Sequence, residues 1–168
     1  MIILGIDPGL AHTGWGVIET RNTTMRCRAY GCITTSNNTC LHERLGSIYI
    51  DLLSVIDKYD IKHVAIEKIF FSKNTSSAIA TAHARGAALV ACSDRDIVLG
   101  EYTPMQIKQS VTGTGSATKK QVMYMTKYIL NLDHIPKPDH CADALAAAIC
   151  HANLVHTLSL VRGDGYDS

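Results

Sequence analysis

Several features that mark other classes of protein are missing from this chain of 168 residues. No apolar run approaches the roughly 20 residues that a membrane-spanning helix needs, and no basic stretch precedes the first hydrophobic segment, as it would in a signal peptide. No two cysteines are spaced as C-x-x-C or as in a zinc finger. We therefore expect a cytoplasmic protein without a membrane span, whose six cysteines are small buried side chains rather than disulfides.

An excess of charge is also missing, because 16 basic and 15 acidic residues leave a net charge of only +1. The distribution along the chain is less even. No acid occurs between Glu67 and Asp94 or between Glu101 and Asp133, and the basic residues there are Lys68, Lys73, Arg85, Lys108, Lys119, Lys120 and Lys127. These segments could form a polarised surface that meets phosphates, or they could be ordinary solvated helix faces.

The apolar residues follow patterns typical of alternating strands and helices. Short apolar runs predict strands at 2–6, 14–19, 25–35, 63–67 and 97–102. Apolar steps of three and four residues predict helices at 41–59, 75–92, 103–111, 117–130 and 139–155. This order predicts one α/β domain at 1–156, with a mixed five-stranded sheet, an antiparallel hairpin at one side and flanking helices, and then a flexible tail at 157–168.

Three acids fall at positions where sites form in such folds. Asp7 ends the first predicted strand and Glu67 ends the fourth, and in a central parallel pair the two strand ends would lie side by side. Asp143 lies in the last predicted helix, with His140 one turn earlier on roughly the same face. Each acid alone could be an ordinary strand-end or turn residue. As a set, they predict a cluster of three carboxylates and an imidazole.

Such a cluster cannot keep every carboxylate charged unless a cation neutralises it. Oxygen-rich ligand sets suit Mg²⁺ or Mn²⁺. Two such ions about 4 Å apart would hold a phosphodiester, with one activating water and the other stabilising the leaving oxygen.

Five segments of the chain resemble one known family. They are ILGIDPGLAHTGWGVI, VAIEKIFFSKNTSSA, ARGAALVA, QIKQSVTGTGSATKKQV and ADALAAAICH, and they run in order from residue 2 to about 151. Together they closely resemble the RuvC family of Holliday-junction resolvases. The resemblance implies a ribonuclease H-like fold, a homodimer, and divalent-metal cleavage of four-way DNA junctions at symmetric positions, together with a branch-migration motor complex.

The resemblance also implies a set of metal ligands. Asp7, Glu67 and Asp143 match the acidic ligands of the family, and His140 stands at the fourth, usually acidic, position. Whether His140 binds metal, positions water or acts as a base stays open, and Asp139 is its rival. The glycines after Asp7 are expected to let the chain turn tightly into the second strand.

A second set of residues is expected to meet DNA. Phe70 matches an aromatic residue placed to stack on junction bases, although a core position is the alternative. Lys108 and Lys119 match basic positions near the DNA, and Lys119 could stabilise charge developing on the scissile phosphate, beside a possible N-cap at Ser116. The acid-free segments add Lys73 and Lys120 to this DNA-binding set.

Two further features allow alternative readings. In the helix predicted at 75–92, the alanines could allow close approach of a second copy, or they could simply pack on the sheet; they are Ala80, Ala84, Ala87, Ala88 and Ala91. The seven histidines other than His140 have no paired spacing, which predicts surface or satisfied core positions.

Two other functions are compatible with parts of the sequence. An actin-like ATPase or phosphotransferase also opens with a strand, D-x-G and a hairpin. A junction-binding module without activity would keep the basic segments. Such a module would not need Asp7, Glu67 and Asp143 together, so the acids favour catalysis.

Overall fold

The computed structural model describes residues 1–69, 75–93 and 95–162. Its strands and helices follow the order predicted from the sequence. They are β1 (Ile2–Asp7), β2 (His12–Arg21), β3 (Thr24–Thr34), α1 (Leu41–Lys58), β4 (His63–Glu67), α2 (Thr75–Ser93), β5 (Val98–Tyr102), α3 (Pro104–Thr112), α4 (Lys119–Ile129) and α5 (Asp139–Arg162).

The five strands form one mixed sheet in the order β3-β2-β1-β4-β5. The pairs β3–β2 and β2–β1 are antiparallel, whereas β1–β4 and β4–β5 are parallel. The predicted mixed sheet with a hairpin at one side is therefore confirmed. In the central parallel pair Ile6 lies opposite Ile66, so Asp7 and Glu67 follow at the same edge of the sheet, as the sequence predicted.

Helices cover both faces of the sheet, and each face has its own apolar core. On one face α1 and α2 bury residues such as Ile48, Leu52 and Ala88 against the strands. On the other face α3, α4 and α5 enclose a core to which α5 contributes Leu145 and Ile149, both fully buried. Because α5 also contacts β1, β2 and β4, it lies across the centre of the sheet.

The alanines of α2 serve the core of this chain. Ala84, Ala88 and Ala91 are at most 1% exposed and belong to the core that α1 shares with the sheet. These three therefore pack within the chain and cannot meet a second copy. Ala80 and Ala87 are half-buried.

Two other expectations need correction. The last helix continues to Arg162, beyond the predicted end at 155, so the start of the expected tail is helical, while residues 163–168 lie outside the described residues. All six cysteines are free, as predicted, but Cys40 is exposed because it lies at the solvent-facing start of α1. Within the described ranges, no helix is long and apolar enough to cross a membrane.

Candidate active site

The first turn of α5 meets the end of β1 at the edge of the sheet. The His140 Nδ1 atom lies 2.6 Å from Asp7 Oδ2, within hydrogen-bond distance. Asp7, His140 and Asp143 each offer a ligand atom, and these three atoms all lie within 4.8 Å of one another. Strand β1 and helix α5 therefore bring together residues that are more than 130 positions apart in the sequence.

A close approach of two backbones makes this meeting possible. Gly14 lies opposite Asp7 in the β1–β2 pair, and a Cβ at Gly14 would collide with the backbone of His140. The expectation that this glycine serves a tight turn is wrong, because Gly14 lies inside β2 and has no positive φ. Its missing side chain instead lets the start of α5 reach the sheet.

Glu67 joins the cluster through electrostatics. Burial, the largest cause, and the charges of Asp7 and Asp143 together raise the pKa of Glu67 to about 7, while the charges of Lys108 and Lys119 oppose them. Glu67 is not one of the three residues whose ligand atoms lie within 4.8 Å of one another. Its carboxylate is therefore a more distant member that nevertheless feels both Asp7 and Asp143.

Lys119 brings a positive charge to the same edge. Its Nζ atom lies 3.0 Å from Asp143 Oδ2 and 3.5 Å from Asp139 Oδ2. Burial disfavours its charge, but the contacts with Asp143 and Asp139 outweigh burial and raise the pKa of Lys119. The N-cap of α4, which Lys119 begins, is Thr118 rather than the expected Ser116, because the Thr118 hydroxyl accepts a hydrogen bond from the Gln121 N–H.

The two candidates at the start of α5 point in different directions. The His140 ring faces Asp7, whereas the Asp139 carboxylate is 57% exposed and its ion-pair partner is Lys119. Adjacent helical residues differ by about 100° around the axis, so only one of them can face the sheet. This arrangement favours His140 over Asp139 as the member of the cluster.

His12 is a neighbour of the site that the sequence interpretation missed. Its ring stacks on the His140 ring with 5.7 Å between centroids, and it lies within hydrogen-bond distance of Thr34. His12 and Gly14 share one face of β2, because side chains alternate along a strand. This alternation is the signal that could have placed His12 beside the start of α5.

The residues expected to bind DNA lie in different parts of the chain, and the structure describes two of the four that remain. Lys108 lies in α3, close enough to Glu67 for its charge to lower the pKa of that carboxyl. Lys120 is exposed on α4. Phe70 and Lys73 lie outside the described residues.

A second histidine cluster lies further along α5. His151 is 2% exposed, and its Nε2 and Nδ1 atoms lie 3.0 Å from His63 Nδ1 and 2.7 Å from the Tyr102 hydroxyl. Burial lowers the pKa of His151 to about 4, with a smaller effect from His63. His151 is therefore a satisfied core residue, one of the two alternatives predicted, and His63 is its half-buried partner.

The donors at the edge of the sheet fit a divalent cation. Three carboxylates and an imidazole converge there, and burial together with the charge of Asp7 raises the pKa of Asp143 as well as that of Glu67. Burial and mutual repulsion disfavour the ionised forms of these carboxylates, and a nearby cation stabilises those ionised forms. Oxygen ligands with one nitrogen suit Mg²⁺ or Mn²⁺.

Comparison with known proteins gives consistent matches over most of the chain. The family model described as crossover junction endodeoxyribonuclease RuvC matches residues 3–151. The protein of that name from Desulforamulus reducens is 49% identical over 152 residues, which cover 90% of this chain and 93% of the relative. The one from Clostridioides difficile is 45% identical, with 97% of this chain and 98% of the relative covered.

Solved structures agree with these matches. The structure of Thermus thermophilus RuvC has a TM-score of 0.86 and 36% identity, covering 94% of this chain and 96% of that one. T. thermophilus RuvC in complex with a Holliday junction substrate has the same TM-score and coverage, with 34% identity. The expected ribonuclease H-like α/β fold is therefore confirmed.

Proposed function

The chain belongs to the RuvC family of crossover junction endodeoxyribonucleases, and from that premise we propose that it resolves four-way DNA junctions by cutting them at symmetric positions. It is a metal-dependent endodeoxyribonuclease, and the matched residues 3–151 contain the whole candidate site. Family membership favours this activity over an actin-like ATPase or phosphotransferase and over a junction-binding module without activity.

The observation that supports catalysis most directly is the cluster of Asp7, His140 and Asp143 at the edge of the sheet. We propose that these residues and Glu67 hold two divalent ions, Mg²⁺ or Mn²⁺. When bound, such ions supply Lewis acidity to the phosphodiester and lower the pKa of water. Half-buried carboxylates with raised pKa values, as at Glu67 and Asp143, are the groups that gain most from a neighbouring cation.

The side chains of the site have separate tasks in this proposal. Asp7 accepts a hydrogen bond from His140 and thereby orients the imidazole. Lys119, already 3.0 Å from Asp143, stabilises negative charge on the phosphate as it develops. Lys108, Lys120, Lys73 and Phe70 are proposed to contact the DNA around that phosphate.

We propose that the active form is a homodimer, since a four-way junction has near two-fold symmetry and needs two opposed cuts. Helix α2 offers an exposed stripe with the spacing four, three and four, formed by Ile79, His83, Gly86 and Val90. Ile79 and Val90 are 55% and 57% exposed, and a Cβ at Gly86 would meet no atom within 4 Å. A monomeric mass at micromolar concentration in the absence of DNA would contradict the dimer.

Two further parts of the proposal concern the setting. A nuclease that cuts junctions needs another protein to move the branch point to a site it can cleave, so we propose a branch-migration motor complex as partner. We place the activity in the cytoplasm and assign it to the domain at 1–156.

Replacing Asp7 with Asn tests the proposed function. The change removes one carboxylate charge from the cluster and keeps the size of the side chain, so we expect cleavage of a synthetic junction in Mg²⁺ to fall by at least about 10²–10³-fold. Junction binding should persist or tighten, because a negative charge near phosphate is lost. The measurement is single-turnover cleavage together with an equilibrium binding assay.

Asp51→Asn is the matched control, because Asp51 is an exposed acid on α1, and it should cut like the wild type. Near wild-type cleavage by Asp7→Asn would exclude the proposed metal cluster. Turnover of ATP without cleavage of junctions would favour the actin-like alternative.

A further inference from the structure

Helix α4 carries side chains, several of them exposed, that lie outside the metal cluster and its ion pairs, and of these Lys120 alone has been assigned a contact with DNA. Tyr124 and Tyr128 are 62% and 74% exposed, which is unusual for large aromatic residues. Both line an open surface depression with Lys127, Asn131 and Leu132. Lys120 is exposed one turn before Tyr124 on the same helix. We refer to the polar members of this surface, namely Lys120, Tyr124, Lys127, Tyr128 and Asn131, as the α4 stripe.

The α4 stripe has uncompensated positive charge. Residues 102–132 contain no Asp or Glu and four lysines. Among the residues that the structure describes, Lys120 and Lys127 form no ion pair, whereas Lys119 contacts Asp143 and Asp139. The next acid along the chain is Asp133, two residues after Asn131 and beyond the end of α4. A surface with two lysines and no acid between them attracts a polyanion.

The side chains of the stripe also have the right chemistry for a nucleic-acid backbone. Lysine, tyrosine and asparagine side chains are common donors to phosphate and sugar oxygens. At 1.5 Å per residue, the helical part of the stripe, from Lys120 to Tyr128, is about 12 Å long, and Asn131 follows beyond the end of α4. Phosphates of one strand lie about 3.4 Å apart along the axis of B-DNA, so the stripe with Asn131 spans about four to five of them.

The position of the stripe indicates which part of the substrate it would meet. Lys120 directly follows Lys119, whose Nζ atom lies 3.0 Å from Asp143 in the candidate site. From there the stripe leads away along α4 without an intervening acid. A DNA strand whose scissile phosphate lies at Asp143 would therefore have neighbouring phosphates within reach of α4.

We propose that the α4 stripe binds one duplex arm of the junction, with Lys120 and Lys127 facing phosphates and the tyrosine hydroxyls donating to phosphate or sugar oxygens. This inference rests on the proposed function, because it assumes a junction at the candidate site. The stripe determines the length of the duplex arm that the protein contacts. It contributes affinity without reading the base sequence, since backbone contacts carry no sequence information directly.

The experiment measures the salt dependence of junction binding in the absence of divalent ions. Each phosphate contact contributes about 0.9 to the slope of log K against log salt concentration. We therefore expect the double variant Lys120→Gln/Lys127→Gln to lower that slope by about 2. Lys58→Gln is the matched control, because Lys58 is exposed on α1, across the sheet from α4, and it should leave the slope unchanged.

Neutral methylphosphonates placed one at a time in an arm then locate the contact. Within about five positions of the crossover they should weaken wild-type binding and have little further effect on the double variant. Tyr124→Phe/Tyr128→Phe, which removes only the hydroxyls, should weaken binding without changing the slope. Thermal unfolding of each variant checks that its fold is intact, since all four side chains lie on the surface.

The outcomes separate this inference from the proposed function. If the wild-type protein cleaves junctions and the double variant keeps the full slope, the DNA-binding role of the α4 stripe is overturned and the proposed function is not. Wild-type protein that cleaves no junction in Mg²⁺ or Mn²⁺ would overturn the proposed function. Unchanged junction binding by the double variant, together with lost binding of a protein partner, would assign the stripe to that partner instead.

Discussion

His140 and His151 are two histidines of one helix that face the same sheet in opposite environments. They are eleven residues apart on α5, which is about three turns. The ring of His140 is 38% exposed and contacts the Asp7 carboxylate, which raises the pKa of His140 against the effect of burial. His151 is 2% exposed and its ring lies within hydrogen-bond distance of His63 and Tyr102, and burial lowers its pKa to about 4.

The difference shows that the neighbours of a histidine, rather than its secondary structure, decide its role. A ring beside carboxylates at the edge of a sheet can exchange partners with solvent, a cation or a substrate. A ring enclosed between β4, β5 and α5 can only keep its hydrogen bonds. Space for each ring comes from a strand glycine, because a Cβ at Gly14 would strike the backbone of His140 and one at Gly100 would strike both Tyr102 and His151.

The largest expected effect comes from removing the exposed histidine. His140→Ala should lower single-turnover cleavage by about 100-fold or more, because it removes a proposed ligand of the metal cluster and the partner of Asp7. Asp139→Ala should change the rate only a few-fold, since Asp139 faces solvent and Lys119. Both variants would be measured in Mg²⁺ and in Mn²⁺.

A conservative replacement sharpens this result. His140→Asp should restore cleavage and shift the preference toward Mg²⁺, because a carboxylate oxygen is a harder donor than an imidazole nitrogen. An inactive Asp139→Ala protein beside a fully active His140→Ala protein would reverse the assignment.

An intermediate effect is expected from titrating the buried histidine. The pKa of His151 is about 4 in the folded protein and about 6.5 when unfolded, so acid protonates the unfolded chain first. The contribution of His151 to stability is therefore nearly complete above about pH 7.5 and falls by about 2 kcal/mol between pH 7 and pH 5. The raised pKa of Glu67 acts in the opposite direction, because acid protonates that carboxyl in the folded protein first. Chemical denaturation at several pH values measures this loss.

Two variants isolate the contribution of His151 from that of the carboxylates. Between pH 7 and pH 5, His151→Gln should differ from the wild type by the loss of about 2 kcal/mol assigned to His151. His42→Gln, at an exposed position of α1, should follow the wild type. The same pH dependence in His151→Gln and in the wild type would show that His151 is not the group responsible.

The smallest expected effect concerns the third member of the buried cluster. Tyr102→Phe removes the hydroxyl that lies 2.7 Å from His151 Nδ1 and should lower the free energy of unfolding by about 1 kcal/mol. Tyr128→Phe, at an exposed tyrosine, should change it by much less. Equal stability of the Tyr102→Phe protein and the wild type would mean that this hydrogen bond contributes nothing net.

The cluster of Asp7, His140 and Asp143 could largely be predicted from the sequence. Asp7 and Glu67 end short apolar runs, and parallel strands place their ends at one edge, which is what the sheet shows. His140 and Asp143 are three residues apart on a helix, which predicts a shared face. The structure places Asp7, His140 and Asp143 together, as the strand ends and the helical spacing predicted. Their role as metal ligands stays a prediction.

The buried cluster could not be found in this way. His63, Tyr102 and His151 lie in three separate elements, and each is a single polar residue beside apolar neighbours. Their meeting depends on the register of β4 and β5, in which His63 lies opposite Val98, and on the docking of α5. For the same reason the role of Gly14 in helix packing could not be predicted, since a close approach between two backbones has no local sequence pattern.

The length of α5, 24 residues, gives the buried cluster a mechanical role. His151 holds the helix to β4 and β5 at a point about 16 Å along the axis from His140. Over that lever arm, a tilt of only about 4° about His151 would move His140 by roughly 1 Å relative to Asp7. A misplacement of that size can lower an enzymatic rate by about 10²-fold. The contacts of His151, near the middle of α5, thus act as a pivot that sets the alignment of the end carrying His140.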